Sequence, residues 1–300
     1  MKILVTGASG LLGRELVSQL LLDKENSVIA LYNRNPIPIK HKRLIKIKID
    51  ITYKTLLEDL LFKLKPDVIV HAAAYTDVDG CEINRHIAWN VNVEATKSIM
   101  KIAKVIKSYV IYISTDYVFD GNKGLYSEQD VPNPVNFYGL TKLISEEIVR
   151  SSGIFYTIVR PSAIYGFGGR RKSFAEYVIE NLRKNSVVRA LIDQYVSPIY
   201  NVLLAKALTE VMNLRPMGTI HIAGEWISRY EFAKKMAKIF NLPTKLIKKT
   251  KMANMKTWIA KRPKDSSLNI EKAKRIIKTR FHNIDYALKL LKGEWEKRKR

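Results

Sequence analysis

The sequence KILVTGASGLLG at residues 2–13 starts with five residues of strand character and runs into three glycines spaced G-x-x-G-x-x-G. A helical pattern follows from Leu11 to Leu22. In this order of strand, glycine turn and helix, backbone N–H groups and the helix N-terminus can face a pyrophosphate, because glycine leaves room for its approach. The stretch therefore predicts a dinucleotide-binding loop. The alternative is a tight strand-to-helix turn that binds no ligand.

Beyond this loop, apolar runs alternate with helical patterns, and the alternation loosens after about residue 165. This predicts an α/β fold, a doubly wound, mostly parallel Rossmann-type sheet with a smaller C-terminal substrate-binding lobe. The predicted NAD(P)-binding domain comprises 1–165 and 200–224, and the predicted lobe comprises 166–199 and 225–300. The predicted strands are 2–6, 27–33, 44–50, 67–74, 109–115, 156–162 and 219–224, and the predicted helices are 11–22, 52–64, 83–106, 138–152, 173–184, 201–213, 228–240, 269–277 and 283–293.

Composition limits the number of domains and the kinds of site that the chain can have. The chain has 300 residues, of which 47% are hydrophobic, enough for one large domain or two closely packed domains. It contains no apolar run of about 18 residues and opens on a core strand, so we expect a cytoplasmic protein without a membrane partner. Cys81 is the only cysteine and the histidines are scattered, so neither a disulfide nor a metal site is expected. His71 and His221 are expected to be structural residues of strands.

The charge is strongly basic, with 52 Lys and Arg against 28 Asp and Glu and a formal net charge of +24. The basic residues are spread through predicted helices and loops, and only Lys297-Arg298-Lys299-Arg300 forms a compact run. A nucleic-acid partner is therefore not predicted. Two interpretations stay open: a lysine-rich surface of a heat-adapted protein, and a field that attracts an anionic diphosphate substrate.

Tyr138 and Lys142 lie four residues apart in a predicted helix and follow Ser114-Thr115 at the end of an apolar strand. The spacing places both side chains on one helix face, where the ammonium would lower the phenol pKa from its usual value of about 10. A bound cationic nicotinamide would act in the same direction, which makes the phenol usable in acid–base chemistry. Tyr230 and Lys234 have the same spacing but lack this context.

Further candidates lie at the carboxyl ends of the predicted strands, where doubly wound sheets bind ligands. The second strand ends in Asn33-Arg34 without a carboxylate for a ribose 2′-hydroxyl, and Arg34 can meet a 2′-phosphate, so NADP(H) is favoured over NAD(H). Asp50 either accepts from an adenine amino group or caps the helix that starts near Thr52. The predicted cofactor-binding residues are Gly7, Ser9, Gly10, Leu11, Leu12, Asn33, Arg34, Asp50, Ile51, Ala72, Ala73, Ala74, Tyr138 and Lys142.

The order of strand-GxxGxxG, Ser114-Thr115 and Tyr138-x-x-x-Lys142 resembles that of the extended short-chain dehydrogenase/reductases. Within that superfamily the chain resembles the dTDP-4-dehydrorhamnose reductase family from residue 2 to about residue 290. The matching stretches are 72–76 with Val78, Asp79 and Glu82, then 114–121, 126–130, 134–142, Tyr165-Gly166, Asp193-Gln194 with Pro198 and Tyr200, and 262–264 with Ser266 and Leu268.

The resemblance implies roles for two groups of residues: Thr115, Tyr138 and Lys142 would be catalytic, and Thr76, Val78, Asp116 and Tyr117 would bind the sugar of a nucleotide-sugar substrate. NADPH would reduce the C4 keto group of dTDP-4-keto-6-deoxy-L-mannose to give dTDP-L-rhamnose, while Tyr138 supplies a proton. Thr115 would hydrogen-bond the carbonyl oxygen, and Lys142 would bind the nicotinamide ribose. Asn92 matches the superfamily asparagine of a proton relay; its alternative is a polar position of an amphipathic helix. Asp116 alternatively caps the loop after its strand.

Several departures from the family pattern keep other functions open. Ala163 replaces an aromatic residue that would stack on the sugar, Ile199 replaces a threonine and Val196 replaces a glycine. Tyr117 stands where related 4,6-dehydratases have a catalytic glutamate, which disfavours that activity. The alternatives are a reductase of another keto-sugar nucleotide, and an NADP-binding regulatory subunit similar to that of methionine adenosyltransferase, which would bind a partner enzyme. A homodimer through an exposed helix pair also stays open.

Overall fold

The structure is a computed structural model that describes residues 1–169 and 171–298. Arg170, Lys299 and Arg300 lie outside the described residues. All three belong to the predicted substrate-binding lobe, and Lys299 and Arg300 are half of the C-terminal basic run. Among the described residues, no helix has the length and apolar character needed to cross a bilayer.

The strands follow the apolar runs of the sequence. The described residues form thirteen strands: β1 (Lys2–Thr6), β2 (Ser27–Tyr32), β3 (Leu44–Lys48), β4 (Val68–His71), β5 (Tyr109–Ile113), β6 (Tyr156–Arg160), β7 (Ile164–Tyr165), β8 (Val188–Leu191), β9 (Tyr195–Val196), β10 (Ile199–Tyr200), β11 (Gly218–His221), β12 (Ile227–Ser228) and β13 (Ile247–Thr250). Seven of them form one sheet in the order β11-β6-β5-β4-β1-β2-β3, and every neighbouring pair in it is parallel. The predicted doubly wound parallel sheet is therefore confirmed.

All seven sheet strands were predicted, but the predicted spans run past the carboxyl ends of β2 to β6 and β11. The predicted strand 67–74, for example, ends at His71, and the predicted strand 109–115 ends at Ile113. The apolar or small-residue pattern continues beyond the last ladder hydrogen bond, because these residues are still covered by neighbouring elements. The overrun matters for function, since it contains the residues that leave the sheet at its ligand-binding edge.

Helices cover both faces of the sheet. They are α1 (Leu11–Leu20), α2 (Lys54–Leu64), α3 (Val78–Ile83), α4 (Arg85–Trp89), α5 (Ala95–Ile106), α6 (Phe137–Arg150), α7 (Phe174–Arg183), α8 (Asn201–Leu214), α9 (Arg229–Ile239), α10 (Glu271–Ile276) and α11 (Ile284–Lys297). The single helix predicted over 83–106 is wrong in detail. The chain breaks at Asn84, where φ is −114°, and a π-helical turn at Asn90–Glu94 joins α4 to α5.

The second half of the chain adds three two-stranded pairs, namely β10 with β7, β12 with β9 and β13 with β8. The sequence did not predict these strands, four of which have only two residues and are too short to show a periodicity. One buried apolar cluster contains residues of the sheet and of the C-terminal helices, for example Val5, Phe232 and Leu288. The two lobes are thus closely packed on each other, and the predicted domain boundaries stay a prediction.

His71 and His221 are buried at the ends of β4 and β11, as the sequence predicted. The His71 ring nitrogens lie 2.7 Å from the Thr6 hydroxyl and 3.0 Å from the Thr96 hydroxyl. Burial lowers the pKa of each histidine to about 3, and a neighbouring cation acts in the same direction. Both rings are therefore neutral at neutral pH and serve as hydrogen-bonding groups of the interior.

We expect the folded state to become less stable in mild acid because of these two rings. An unfolded histidine has a pKa of about 6.5, so below that pH the unfolded chain binds a proton that the folded chain binds only near pH 3. Each ring then lowers the free energy of unfolding by about 1.4 kcal/mol per pH unit between these two values. Urea unfolding at several pH values in this window measures the slope.

The variant His71→Asn should flatten that slope by the contribution of one proton, whatever its effect on stability at neutral pH. His41 is exposed, so His41→Asn is the matched control and should keep the wild-type slope. Equal slopes in the wild type and in His71→Asn would contradict the neutral, buried state of His71.

Candidate active site

The glycine loop lies where β1 leaves the sheet. Gly7 has φ of 66°, which favours glycine, and a Cβ there would lie 2.8 Å from the Cα of Ala73. A Cβ at Gly13 would lie only 2.2 Å from the Gly7 carbonyl oxygen, so α1 packs directly on the loop. Gly10 caps α1 without any side-chain hydrogen bond. The N-terminal amides of α1 are therefore available to an anion, which fits the pyrophosphate of a dinucleotide.

The ends of β2 and β3 lie side by side at the same edge. The Asn33 side-chain amide donates to Asp50 at 3.0 Å, and the Thr52 amide and hydroxyl donate to the other Asp50 oxygen at 3.0 and 2.8 Å. Partial burial raises the Asp50 pKa, but these hydrogen bonds and the charge of Arg34 together lower it below its ordinary value. Asp50 thus closes a turn at Thr52, and the expectation that it caps the next helix is wrong, because α2 starts at Lys54 after an N-cap at Tyr53.

The loop after β4 carries Ala72, Ala73 and Ala74 and is held from two sides. The Thr6 hydroxyl accepts from the Ala73 amide at 3.1 Å. Asn92 lies in the π-helical turn, where its side chain accepts from the Tyr75 amide at 2.7 Å and donates to the Thr141 hydroxyl at 2.9 Å. Asn92 is 1% exposed, so the surface-helix alternative for it is wrong. Its place between this loop and α6 is compatible with the predicted relay role, which stays a prediction.

Tyr138 and Lys142 are brought to the end of β5 by the start of α6. The Asn136 side chain caps the helix by accepting from the Gly139 amide at 2.8 Å. A Cβ at Gly139 would lie 2.1 Å from the Tyr117 carbonyl oxygen, so glycine lets the helix approach this closely. Tyr138 and Lys142 are both buried on the inner face of the helix, and the Thr115 hydroxyl lies close enough to the Tyr138 phenol to lower its pKa. The structure therefore brings the three predicted catalytic residues together.

The electrostatics of this trio differ from the expectation. Lys142 Nζ donates to the Ile113 carbonyl oxygen at 2.7 Å and lies 4.1 Å from the centre of the Tyr112 ring. Burial lowers the Lys142 pKa to about 7. Burial also raises the Tyr138 pKa well above its ordinary value, although the nearby Thr115 hydroxyl acts the other way. The predicted lowering of the Tyr138 pKa is therefore wrong for the protein chain by itself, because desolvation outweighs the nearby polar groups.

Of the four predicted substrate residues, Val78, Tyr117 and Asp116 lie close to this trio. Val78 and Tyr117 pack in one cluster with Tyr138, and the Tyr117 and Tyr138 rings meet edge to face with centroids 6.1 Å apart. Thr76 lies exposed at the rim of the same loop. The Asp116 carboxylate is different, because its oxygens accept from three hydroxyl groups: Thr115 at 3.1 Å, Ser162 at 2.8 Å and Ser266 at 2.6 Å.

Asp116 is 3% exposed, and burial raises its pKa despite these hydrogen bonds. Its carboxylate joins the ends of β5 and β6 to the C-terminal segment, which differs from a cap of its own loop. A direct contact of Asp116 with substrate stays a prediction. Next to it in the fold, Ala163 follows Ser162 with φ of 27°, a left-handed conformation, at the position where the family resemblance led us to expect an aromatic residue.

Two structural features of the site were not assigned a role from the sequence. Asp79, after β4, accepts from the Ile259 and Ala260 amides and pairs with the Arg262 guanidinium at 3.0 and 2.9 Å, so it ties the C-terminal segment across the cleft. Glu146, one helical turn beyond Lys142, forms a buried ion pair with Arg160. The sequence did not reveal the second, because most apolar residues of α6, namely Leu140, Leu143, Ile144 and Ile148, lie away from the helix face that carries Tyr138, Lys142 and Glu146.

The other Tyr-x-x-x-Lys pair lies on α9 and forms a surface contact, with Lys234 Nζ 5.5 Å from the centre of the Tyr230 ring. Near it, the rings of Tyr195 and Trp226 stack 4.8 Å apart with an interplanar angle of 4° and border a cavity of about 400 Å³. Among residues 1–169 and 171–298 there is no group of three or more His, Cys, Asp or Glu side chains placed to hold a metal ion.

Several known proteins are similar to this chain in fold and in sequence. Residues 1–294 match the family model described as RmlD substrate binding domain. The crystal structure of a hypothetical dTDP-4-dehydrorhamnose reductase from Sulfolobus tokodaii is 44% identical, has a TM-score of 0.84 and aligns over 94% of this chain and 97% of its own. The dTDP-4-dehydrorhamnose reductase of Bacillus anthracis, solved in complex with NADP, is 26% identical with a TM-score of 0.84 over 98% and 99% of the two chains. Methionine adenosyltransferase 2 subunit beta of Bos taurus is 30% identical over 251 residues, which cover 81% of this chain and 73% of that protein.

The close packing of α1 on the glycine loop can be tested by a substitution at Gly13. In Gly13→Ala the new methyl group would lie 2.2 Å from the Gly7 oxygen and 2.8 Å from the Ala8 Cα, so the loop and helix must move apart. We expect the free energy of unfolding to fall by about 1–3 kcal/mol, measured by denaturant titration.

The matched control is Gly293→Ala in α11, where a Cβ would have no neighbour within 4 Å. There alanine should raise the free energy of unfolding by about 0.5–1 kcal/mol, because glycine is unfavourable in a helix. Gly13→Ala unfolding at the same denaturant concentration as this control would contradict the packing described for the loop.

Proposed function

Because the chain belongs to the RmlD substrate binding domain family, we propose that it is an NADPH-dependent reductase that converts dTDP-4-keto-6-deoxy-L-mannose to dTDP-L-rhamnose. The observation that carries this proposal is the meeting of Thr115, Tyr138 and Lys142 at the sheet edge that also holds the glycine loop. With a dinucleotide bound at the glycine loop, this placement would bring a proton donor and a cation next to it. Two relatives named dTDP-4-dehydrorhamnose reductase align over nearly the whole chain, which supports the assignment.

The cofactor is proposed from the loop and from the ends of β2 and β3. The α1 amides after Gly10 would bind the pyrophosphate, and Arg34 would meet the 2′-phosphate of NADP. The small residues Ala72 to Ala74 leave room for the dinucleotide along the loop after β4. When bound, NADPH supplies the hydride for the keto group. The Bacillus anthracis relative solved with NADP supports this choice.

The side chains of the site suit the reduction. Because burial raises the Tyr138 pKa, the phenol is protonated at neutral pH and can donate its proton to the alkoxide that forms at C4. The Thr115 hydroxyl can bind the same oxygen. Lys142, whose pKa is about 7, would place an ammonium beside the phenol and the nicotinamide ribose. Burial of all three side chains keeps bulk water away from the reacting atoms.

The substrate end of the proposal rests on two aromatic surfaces. Val78 and Tyr117 pack against Tyr138 and would contact the sugar. The stacked Tyr195 and Trp226 rings offer a flat wall to the nucleotide base, since the Trp226 indole nitrogen is fixed by a hydrogen bond to Asp265 at 2.9 Å while half of the residue stays exposed. The basic surface of the chain would attract the diphosphate between them.

A second candidate function is that of an NADP-binding regulatory subunit without turnover. One observation favours it, the similarity to methionine adenosyltransferase 2 subunit beta. It also agrees with our interpretation of the sequence that Ala163 stands where the family resemblance predicts an aromatic residue that would stack on the sugar. A lost stacking contact weakens binding by about 0.5–1.5 kcal/mol, which does not abolish it. A reductase of another keto-sugar nucleotide would differ from the proposed enzyme only in its sugar-binding pocket. The NADPH oxidation assay described below therefore tests both.

The reductase proposal predicts that Tyr138→Phe loses turnover but keeps the cofactor. With dTDP-4-keto-6-deoxy-L-mannose and NADPH, followed at the nicotinamide absorbance, we expect kcat to fall by about 10²–10⁴-fold, because the proton donor is removed. The dissociation constant for NADPH, measured by fluorescence, should stay near the wild-type value.

Tyr286→Phe removes a hydroxyl group from an exposed tyrosine of α11 and should leave kcat unchanged. If the wild-type protein binds NADPH but oxidises it with no keto-sugar nucleotide, the reductase proposal fails and the regulatory function is favoured.

The choice of NADPH over NADH is tested at Arg34. In Arg34→Ala the affinity for NADPH should fall about tenfold or more, because a hydrogen bond between charged groups contributes about 1.5–3 kcal/mol. The affinity for NADH should not change, since NADH has no 2′-phosphate. Lys24→Ala, at an exposed residue ahead of β2, is the control for general loss of positive charge. Equal losses for both dinucleotides in Arg34→Ala would argue against a 2′-phosphate contact.

A further inference from the structure

Glu146 and Arg160 form an ion pair in the interior beside the proposed active site. Their side chains are 0% and 1% exposed. Arg160 Nε donates to Glu146 Oε1 at 2.9 Å, and Arg160 Nη2 donates to Oε2 at 2.6 Å. Arg150 donates to Oε2 at 2.7 Å, and the Ser114 hydroxyl donates to Oε1. Both carboxylate oxygens therefore have donors from two sides, which stabilises the ionised form.

The pair is connected to the catalytic lysine through α6 and β5. Tyr138, Lys142 and Glu146 follow one another at four-residue intervals and so lie on one helix face. They meet three consecutive residues at the end of β5: Tyr138 meets Thr115, Lys142 meets Ile113 and Glu146 meets Ser114. A shift of the Glu146 anchor would therefore move α6 against β5 at the position of Lys142.

The charges around Lys142 are unevenly distributed. On its own helix, Glu146 raises the Lys142 pKa and so opposes the lowering by burial, which brings it to about 7. From β4, His71 faces the ammonium as a neutral ring, since burial lowers its pKa to about 3. From β5, Tyr112 faces it as a neutral phenol, because burial raises the pKa of that residue. The phenol of Tyr138 is neutral for the same reason.

Arg160 keeps the Glu146 carboxylate ionised. Burial alone would raise the Glu146 pKa, but the Arg160 hydrogen bonds and charge, with help from Ser114 and Arg150, bring it below its ordinary value. The carboxylate thus stays charged over the whole range in which Lys142 titrates. Arg160 is itself fixed, with its guanidinium 5.0 Å from the centre of the Phe119 ring.

We propose that Glu146, kept ionised by Arg160, is a positioning residue that holds Lys142 in place and keeps it charged beside Tyr138. A buried ammonium without a carboxylate nearby loses its proton to escape the cost of desolvation. In this site that loss would remove the cation next to the phenol. The catalytic meaning of the inference rests on the proposed reductase function, but the ionisation of Lys142 is measurable without turnover.

The direct test is the titration of the Lys142 amine by NMR in protein labelled with ¹⁵N at lysine Nζ. The signal is assigned by its loss in Lys142→Met. In Glu146→Gln the amide keeps the shape of the side chain but not its charge, so the Lys142 titration should move to lower pH by about one unit or more. The amine would then be mostly neutral at neutral pH.

The same change has a kinetic counterpart in the reductase assay. The charged form of Lys142 is lost as the pH rises through its pKa, so the alkaline limb of the kcat/KM profile should move to lower pH in Glu146→Gln. We expect kcat to fall about tenfold at the alkaline end of the profile and little at the acidic end, a pattern that general destabilisation does not produce.

Two further variants separate this role from folding. Glu147→Gln removes a carboxylate that is 63% exposed and pairs with Arg150, so it should leave the Lys142 titration unchanged. Glu146→Gln leaves Arg160 buried without its partner, which is strongly destabilising. Glu146→Leu combined with Arg160→Met removes both charges at similar volume, so this double variant should fold and show the same lowered titration.

An unchanged Lys142 titration in the folded double variant, or in Glu146→Gln, overturns the proposal. A shift of similar size in Glu147→Gln overturns it too, because the effect would then come from net charge. If the titration shifts as expected while the wild-type protein reduces no keto-sugar nucleotide, the positioning role of Glu146 stands and the reductase function fails.

Discussion

The hydrogen bond from the buried Lys142 ammonium to the Ile113 carbonyl oxygen is the interaction on which the rest of the site depends. A cation in the interior is stable only with hydrogen bonds and a compensating charge, because its transfer from water is costly. The carbonyl at the end of β5, the face of the Tyr112 ring and the nearby Glu146 carboxylate supply these. They can do so only because α6 packs against the carboxyl end of β5 and the turn that follows it, where Gly139 lets the helix approach the Tyr117 carbonyl oxygen.

Burial shifts the pKa values of the two proposed catalytic residues, Lys142 and Tyr138, in opposite directions. It lowers the pKa of the amine to about 7 and raises that of the Tyr138 phenol, so both groups are shifted towards their neutral forms. For a reduction this arrangement is favourable, since the phenol has to give up a proton rather than accept one. Glu146 limits the lowering of the Lys142 pKa but does not change the Tyr138 pKa, because it lies one helical turn beyond Lys142 and two turns beyond Tyr138 on α6.

Two carboxylates, those of Asp116 and Asp79, join distant parts of the chain near the proposed site. Asp116 joins the end of β5 to Ser162 after β6 and to Ser266 in the C-terminal segment. Asp79, in the first turn of α3, is joined to residues 259–262. These contacts are hydrogen bonds between buried or half-buried groups. Removing one partner therefore lowers the stability of the folded protein, because the other partner is left unsatisfied. The contacts explain how a second lobe of short strand pairs is held over the sheet with a continuous apolar core below.

The sequence by itself determined the sheet and the residues along its edge. Seven apolar runs became the seven parallel strands, and Gly7, Tyr138 and Lys142 were placed correctly, because strand periodicity and helix spacing are local properties. Only the tertiary structure decided what no local pattern contains: the break and π-helical turn that turn Asn92 inward, the two-residue strands of the second lobe, the hydroxyl groups gathered by Asp116, and the partnership of Glu146 with Arg160. The direction of the Tyr138 pKa belongs to this second group, because desolvation depends on every element packed around the ring and spacing along one helix does not reveal it.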